Sequence, residues 1–404
     1  MSMKILFLAI SLLITINIVA QQRPQKVLSF VDVTWKSKDY QKLEKEWKVF
    51  VDKDNTDANA WENYYNAAMY KYRASAYYRD SVILGSLKEM QAIIDQMAKA
   101  IPESFEYNRL VYRNSNMDLK YAKNIEKAHN LRPNNIDLYP IMLTYYGTIG
   151  AKKKLKELFK KWYDTDPSIE LYKLSYGYNT LVGVEKNAII LASGDNQYYP
   201  VGLVQYGKGF RPDVSIMAIS MFWNDDYYNS TLKELGISEF DKNYKYYYKL
   251  NKKAAWKAQN QLVNERIKHI IDNIGDRPIY FPLRMSNSTR SYFDDSLYMI
   301  GTLNKYSSET FDNIAILRKN FEQKYLLDEV KVSLKQNNDN SSKPRILSLY
   351  IMPLVELYKH YLSSGELAKA DNAKRSIMNL ATNLGRKQKY IEYLNEIEDK
   401  LSNQ

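Results

Sequence analysis

The stretch 187–228 constrains this chain more than any other. It opens with Ala188-Ile189-Ile190-Leu191-Ala192 and breaks into Gly194-Asp195-Asn196-Gln197-Tyr198-Tyr199-Pro200. After Arg211-Pro212 it resumes as the apolar run Asp213-Val214-Ser215-Ile216-Met217-Ala218-Ile219-Ser220. Short runs rich in Ile and Val, bounded by Gly, Pro and Asp, read as buried parallel strands. Residues 201–206 between them fit a short helix closed by Gly207. Strand, polar loop, helix and strand make one βαβ unit. Ligands of such sheets sit at the carboxyl ends of the strands, where the Gly-Asp-Asn loop falls.

Residues 277–283 read as a third strand, whose Pro278 and Pro282 should bracket it or place it at an edge. Before it, 254–274 is an amphipathic helix ended by Gly275, and 227–250 is polar and rich in Tyr. From 27 to about 184 the pattern is helical. Tyr40, Leu43, Trp47 and Phe50 form one stripe, Trp61, Tyr64, Tyr65, Ala68 and Met69 a second, and Leu155, Leu158, Phe159 and Trp162 a third. Pro102, Pro133 and Pro167 punctuate these helices near the roughly 34-residue period of tetratricopeptide helix pairs. The alternative is a helical bundle whose proline spacing is chance. Helices return at 346–362, 366–384 and 387–401, the last a polar capping helix, after a polar linker at 336–343. The expected fold is therefore mainly α with an inserted α/β domain, tetratricopeptide-like repeats flanking a small, mostly parallel sheet. Its expected divisions are a signal peptide over 1–20, repeats over 21–184, an α/β domain over 185–310 and a helical repeat with its cap over 311–404.

Lys4, the apolar run 5–19 and Ile18-Val19-Ala20 read as the three parts of a cleaved export signal. An uncleaved anchor is the alternative, and no later run approaches the ~20 apolar residues of a membrane span. The expected location is the periplasm or cell envelope. The absence of Cys excludes disulfides, thiolate catalysis and Cys-ligated metals. The net charge of +12 is spread over amphipathic helices among many Asp and Glu, a solvated face rather than a nucleic-acid surface. The 36 Tyr residues read first as packing between helices.

The sharpest site candidates are Asp195 and Asn196, a short acidic residue and an amide beside a glycine at a strand end. They could bind a hydroxyl, a cation or a sugar, or cap the next helix through their side-chain oxygens. Tyr199, Arg211, Asn224 and Asp225 are the other candidate ligand residues at that edge, and Asp225 and Asp226 could pair with Asp195 as acid and base. Gly202 to Gly209 nearly spells a phosphate-binding loop, but Gly209 stands where magnesium needs Ser or Thr. His129, His269 and His360 are scattered, and no metal-binding or nucleophile signature is present. Neither a catalytic set nor a cofactor or metal is expected. Asp80-Ser81-Val82 and Asp295-Ser296-Leu297 match a short O-glycosylation triplet that often arises by chance.

Gly194-Asp195-Asn196 to Tyr199-Pro200, Gly209-Phe210-Arg211-Pro212-Asp213-Val214 and 223–228 together resemble one soluble domain. It is the extracytoplasmic domain behind the membrane bundle of protein O-mannosyltransferase-like multi-pass proteins. Arg277-Pro278-Ile279-Tyr280-Phe281 and Leu297-Tyr298-Met299-Ile300-Gly301 are similar to its later strand and hairpin. The resemblance implies a shared domain and an envelope setting, not the activity of the bundle, which this chain lacks. The first functional expectation is an exported scaffold that binds envelope protein partners through its repeats without catalysis. The second is a sugar- or lipid-linked-sugar-binding accessory or enzyme using the Gly194-Asp195-Asn196 edge.

Overall fold

The computed structural model describes residues 22–29, 33, 35–74, 80–250, 255–331 and 343–402. The expected signal segment and all of the 336–343 linker except Lys343 lie outside the described residues, as do the side chains of the triplet at Asp80. Among the described residues eight α-helices come first: α1 Ser37–Lys53, α2 Ala58–Arg73, α3 Asp80–Ala100, α4 Phe105–Asn114, α5 Ala122–Leu131, α6 Tyr139–Thr148, α7 Lys152–Thr165 and α8 Leu171–Val182. Pro102, Pro133 and Pro167 each follow a helix end, after α3, α5 and α7. The apolar stripes close over two cores. Tyr40, Trp47, Trp61, Tyr65 and Met97 fill the first. Tyr112, Ile125, Tyr139 and Phe159 fill the second. Among the described residues no helix is long and apolar enough to cross a membrane.

The α/β part runs β1 Ile189–Ala192, α9 Asp195–Gly202, β2 Ser215–Ala218, α10 Asp225–Leu235, α11 Tyr244–Leu250, α12 Ala255–Asn273, β3 Ile279–Pro282, α13 Asn287–Phe293, β4 Leu297–Met299 and β5 Leu303–Tyr306. The strand order is β2-β1-β3-β5-β4. β1 is parallel to β2 and to β3. β5 is antiparallel to both β3 and β4. The sheet is therefore mixed rather than mostly parallel, because β4 and β5 are joined by a turn over 300–302 too short for a crossover. Gly301 in that turn has φ 148, with the Tyr325 hydroxyl 2.0 Å from where a Cβ would sit. β3 lies inside the sheet, not at its edge, and its prolines bracket it. Pro278 precedes the strand and its carbonyl accepts from the Ile189 amide at 2.8 Å.

Alternation along β1 sends Ile190 and Ala192 to one face and Ile189 and Leu191 to the other. The first face shares its core with Tyr176 of α8 and with Tyr350, Val355 and Ile377 of the C-terminal helices. The second packs on Tyr228 and Leu232 of α10 and Ile267 and Ile270 of α12. The C-terminal helices are α14 Asn313–Lys319, α15 Asp328–Lys331, α16 Lys343–Leu347, α17 Ile351–Ser363, α18 Leu367–Asn383 and α19 Lys387–Ser402. They are tied to α8 by buried Asn179, whose amide donates to the Leu326 carbonyl and the Tyr350 hydroxyl, both at 2.9 Å.

The near-match to a phosphate loop has a packing explanation. α9 continues into one π-helical turn, Leu203–Gly207, laid across the helical arm. A Cβ on Gly202 would come within 2.4 Å of the Phe159 ring, one on Gly207 within 2.4 Å of Tyr163, and one on Gly177 within 2.1 Å of the Pro200 carbonyl. These glycines let helices approach closely, and no phosphate cradle forms.

Candidate functional site

Parallel β1 and β2 point their carboxyl ends at the helical arm. The chain leaves β1 for β2 on one side and returns to β3 on the other, so the strand order reverses beside β1, where ligand crevices of such sheets lie. A cleft of about 450 Å³ opens there. Gly194 lines it from the turn after β1, Asp195, Asn196 and Tyr199 from α9, and Ser220 and Met221 from the turn after β2. The opposite wall is built from the arm, with Asn63, Asn66, Tyr70 and Arg73 from α2, Arg109 and Arg113 from α4, and Thr144 from α6. Spacings of three and four put each set on one helix face.

Asp195 stands at the first position of α9, so it does not cap a helix beginning near Pro200, one of the two roles open to it from the sequence. Gly194, with φ 77, is the N-cap and makes no side-chain capping bond, while Gln197 Oε1 accepts from the Ser193 amide at 2.8 Å and ties the helix back to the turn. Pro200 is inside the helix. The bond its missing N–H would have made is absent, and the helix loosens into the π turn soon after. Tyr199 donates to the Pro140 carbonyl at 3.3 Å and its ring lies 5.5 Å from that of Trp162. Burial, reinforced by Asp195, pushes the Tyr199 hydroxyl well above its usual range.

Three of the expected site residues have other tasks. Arg211 precedes β2 while Asp195 follows β1, and parallel strands put those positions at opposite ends of the sheet. There Arg211, at φ 54, donates to the carbonyls of Leu181, Val184 and Glu185 and to both carboxylate oxygens of Asp213. It clamps the start of β2 to the end of α8. Asn224 caps α10, accepting from the Tyr227 amide at 3.0 Å. Asp225 pairs with Arg266, a buried arginine that also donates to the Phe222 carbonyl at 2.7 Å and lies over the Tyr228 ring. Asp226 lines a neighbouring crevice of about 760 Å³ instead of the cleft. Of the expected residues, Asp195, Asn196 and Tyr199 come together, and no second carboxylate of the three aspartates joins them.

The clamp carries a pH prediction. Hydrogen bonds from Arg211 hold the Asp213 carboxyl well below the usual carboxylate range. A depressed folded-state pKa adds stability above the ordinary value of ~3.9, and that stability is lost as pH falls towards the folded value. Asp213→Asn should therefore unfold at lower urea than the parent at neutral pH, and the gap should narrow steadily as pH falls from about 5 to about 2. A gap that stays constant through that window would remove the clamp from the account.

The arm wall was not expected from the sequence. Arg109, 6% exposed, forms an ion pair with Glu62 of α2 and donates to the Asp137 carbonyl at 3.3 Å. Burial, together with Arg113 and Arg132, lowers its pKa to about 10, so it stays charged at neutral pH. Arg113 donates to Asn66 Oδ1 at 2.9 Å and to the Tyr70 hydroxyl at 2.7 Å. Its pKa rises despite burial because Tyr70, Tyr65 and Asp195 favour the charged form, Asp195 acting from the sheet side of the cleft. Trp162 donates its Nε1 to Asp166 at 2.9 Å at the same rim. Among the described residues no three His, Asp or Glu side chains converge to hold a metal ion.

No curated protein matches the chain. The family model described as TMEM260-associated domain 2 matches residues 173–240, from α8 through the Gly194-Asp195-Asn196 loop to the end of α10, in keeping with a relationship to TMEM260 and O-mannosyltransferase-like proteins.

Proposed function

We propose that this is an exported cell-envelope protein that holds a saccharide in the cleft between its tetratricopeptide-like arm and the carboxyl edge of its sheet, binding it without transforming it. The observation that carries this reading is the chemistry of the cleft. Asp195 and Asn196 offer carboxylate and amide groups for hydroxyls, while Tyr199 and Trp162 offer rings for the apolar faces of a sugar. A largely preformed cavity with a few converging polar groups is the usual form of a small-ligand site. The relationship to O-mannosyltransferase-like proteins makes a sugar the natural ligand class. Binding fits better than turnover because Asp225 is committed to Arg266 and Asp226 lines the neighbouring crevice, so neither of these carboxylates enters the cleft as an acid or base. A scaffold that takes peptides on the inner side of its repeats is the weaker reading. The polar face of α2 and α4 lines this cleft rather than an open groove.

The test is calorimetric titration of the purified chain with glucose, mannose and their short oligomers, beside Asp195→Ala. Losing hydrogen bonds to a charged group should cost about 1.5–3 kcal/mol, or roughly tenfold to a hundredfold in affinity. The thermal midpoint of the variant should move little, since a first-turn carboxylate contributes ~0.3–1 kcal/mol to a helix. Unchanged affinity in Asp195→Ala, or no binding by any sugar, neutral or acidic, would end the proposal. Export has its own check, because N-terminal sequencing of the mature protein should begin at or near Gln21. Recovery of the intact N-terminus from the cytoplasm would refute it.

A further inference from the structure

The three arginines of the arm wall, Arg73, Arg109 and Arg113, are more than neutral sugar recognition requires. Glu62 is taken by Arg109, Asp137 by Lys26 at 3.1 Å, and Asp166 accepts from Trp162 and Ser168. Arg113 is placed differently. Among the described residues its hydrogen bonds go to Asn66 Oδ1 and the Tyr70 hydroxyl, both neutral, and it lies over the Tyr70 ring at 5.4 Å. Asn66 is 8% exposed and Tyr70 4%, so these partners form a fixed, largely dry seat. A guanidinium has five donors in a rigid fork matched to carboxylate and phosphate oxygens. Arg109, four residues earlier on the same face of α4, adds a second buried positive charge behind it, and Arg73 of α2 lines the same wall. Asp195 and Asn196 face this wall from the sheet.

We propose that Arg113, seated on Asn66 and Tyr70 and backed by Arg109, is an anion subsite, and that the ligand of the cleft is an acidic saccharide. Its hydroxyls meet Asp195 and Asn196 while its phosphate or carboxylate meets Arg113. This rests on the reading of the cleft as a saccharide site and adds the charge of the ligand. A carboxylate on one wall and an arginine fork on the other also set an orientation. The acidic group must lie towards α4 and the hydroxyl-bearing edge towards β1. The reversed orientation would put the anion against the Asp195 carboxylate and leave Arg113 facing neutral hydroxyls, which selects against it.

The experiment titrates the full chain with glucose 1-phosphate, glucuronic acid, glucose and inorganic phosphate, at low and at physiological salt. The acidic sugars should bind at least tenfold more tightly than glucose, and raised salt should weaken them while leaving glucose unchanged. Whichever of the two acidic sugars binds more tightly identifies the anion as phosphate or carboxylate. Arg113→Gln should remove the preference, bringing the acidic sugars to the affinity of glucose. The comparison among ligands on the parent chain needs no variant, so poor folding of Arg113→Gln would leave the test intact. Equal binding of acidic and neutral sugars overturns the anion subsite and leaves the saccharide site standing. Binding of inorganic phosphate as tight as that of glucose 1-phosphate overturns the acidic saccharide in favour of a bare anion. No binding by any sugar defeats the cleft reading itself.

Discussion

Arg109→Met is expected to cost about 3–5 kcal/mol of folding free energy, the usual penalty for breaking a buried ion pair from one side. The Arg109 and Glu62 side chains are 7% and 16% exposed, and they join α4 to α2 across the arm. The substitution keeps most of the apolar stem, so the loss comes from a carboxylate left in a site with little water. The double variant Glu62→Leu with Arg109→Met should recover much of the loss, because a buried pair replaced by well-packed apolar groups is often neutral or better. Urea unfolding at neutral pH of the parent, both single variants and the double variant measures the coupling. A loss below about 1 kcal/mol in Arg109→Met would mean that the pair behaves as a solvated one.

The second large effect separates two tryptophans that the sequence presents alike. Trp61 is 3% exposed, donates its Nε1 to the Asn55 carbonyl at 2.8 Å and sits in the core of the first helices. Trp61→Ala should cost about 3–5 kcal/mol, as truncation of a large core side chain does. Trp162 is only partly buried at the rim of the cleft, with its ring near those of Tyr139 and Tyr199. Trp162→Ala should cost clearly less stability and act instead on ligand affinity. Thermal melts read the first difference and saccharide titration the second. Equal destabilisation by the two variants would place Trp162 in the core after all.

Much of the frame was legible because it rests on patterns with one physical solution. Ile189–Ala192 and Ser215–Ala218 are apolar over lengths too short for a helix, and they form the parallel pair. Leu297–Met299 and Leu303–Tyr306 form the hairpin expected from the resemblance. The start of α9 was harder to place. Pro200 marks a helix beginning in most sequences, and here it lies inside a helix already begun at Asp195. The position of Arg211 could have been deduced, since a residue before one parallel strand cannot meet a residue after its neighbour. The arm wall was missed for a different reason. A net charge spread over amphipathic helices reads as a solvated face, yet Arg109 is buried, and so are the amides Asn63 and Asn66. Their signal was polar side chains three or four residues apart along the apolar face, which neither a stripe count nor a net charge registers.

The core shared by α8, the sheet and the C-terminal helices bears on how this protein can be cut. Residues 185–310 look separable on paper, since they hold every strand among the described residues. Excised, that fragment would bare Ile190, Ile216 and Tyr280 where Tyr350 and Val355 now cover them, and would leave Asn179 behind. The covering helices follow the sheet in the chain, so until they have been made that face has α8 to pack on and lacks the rest of its cover. An internal segment whose neighbours are made so late is a dependent of the whole polypeptide, and its relatives in other proteins need some other cover for the same face.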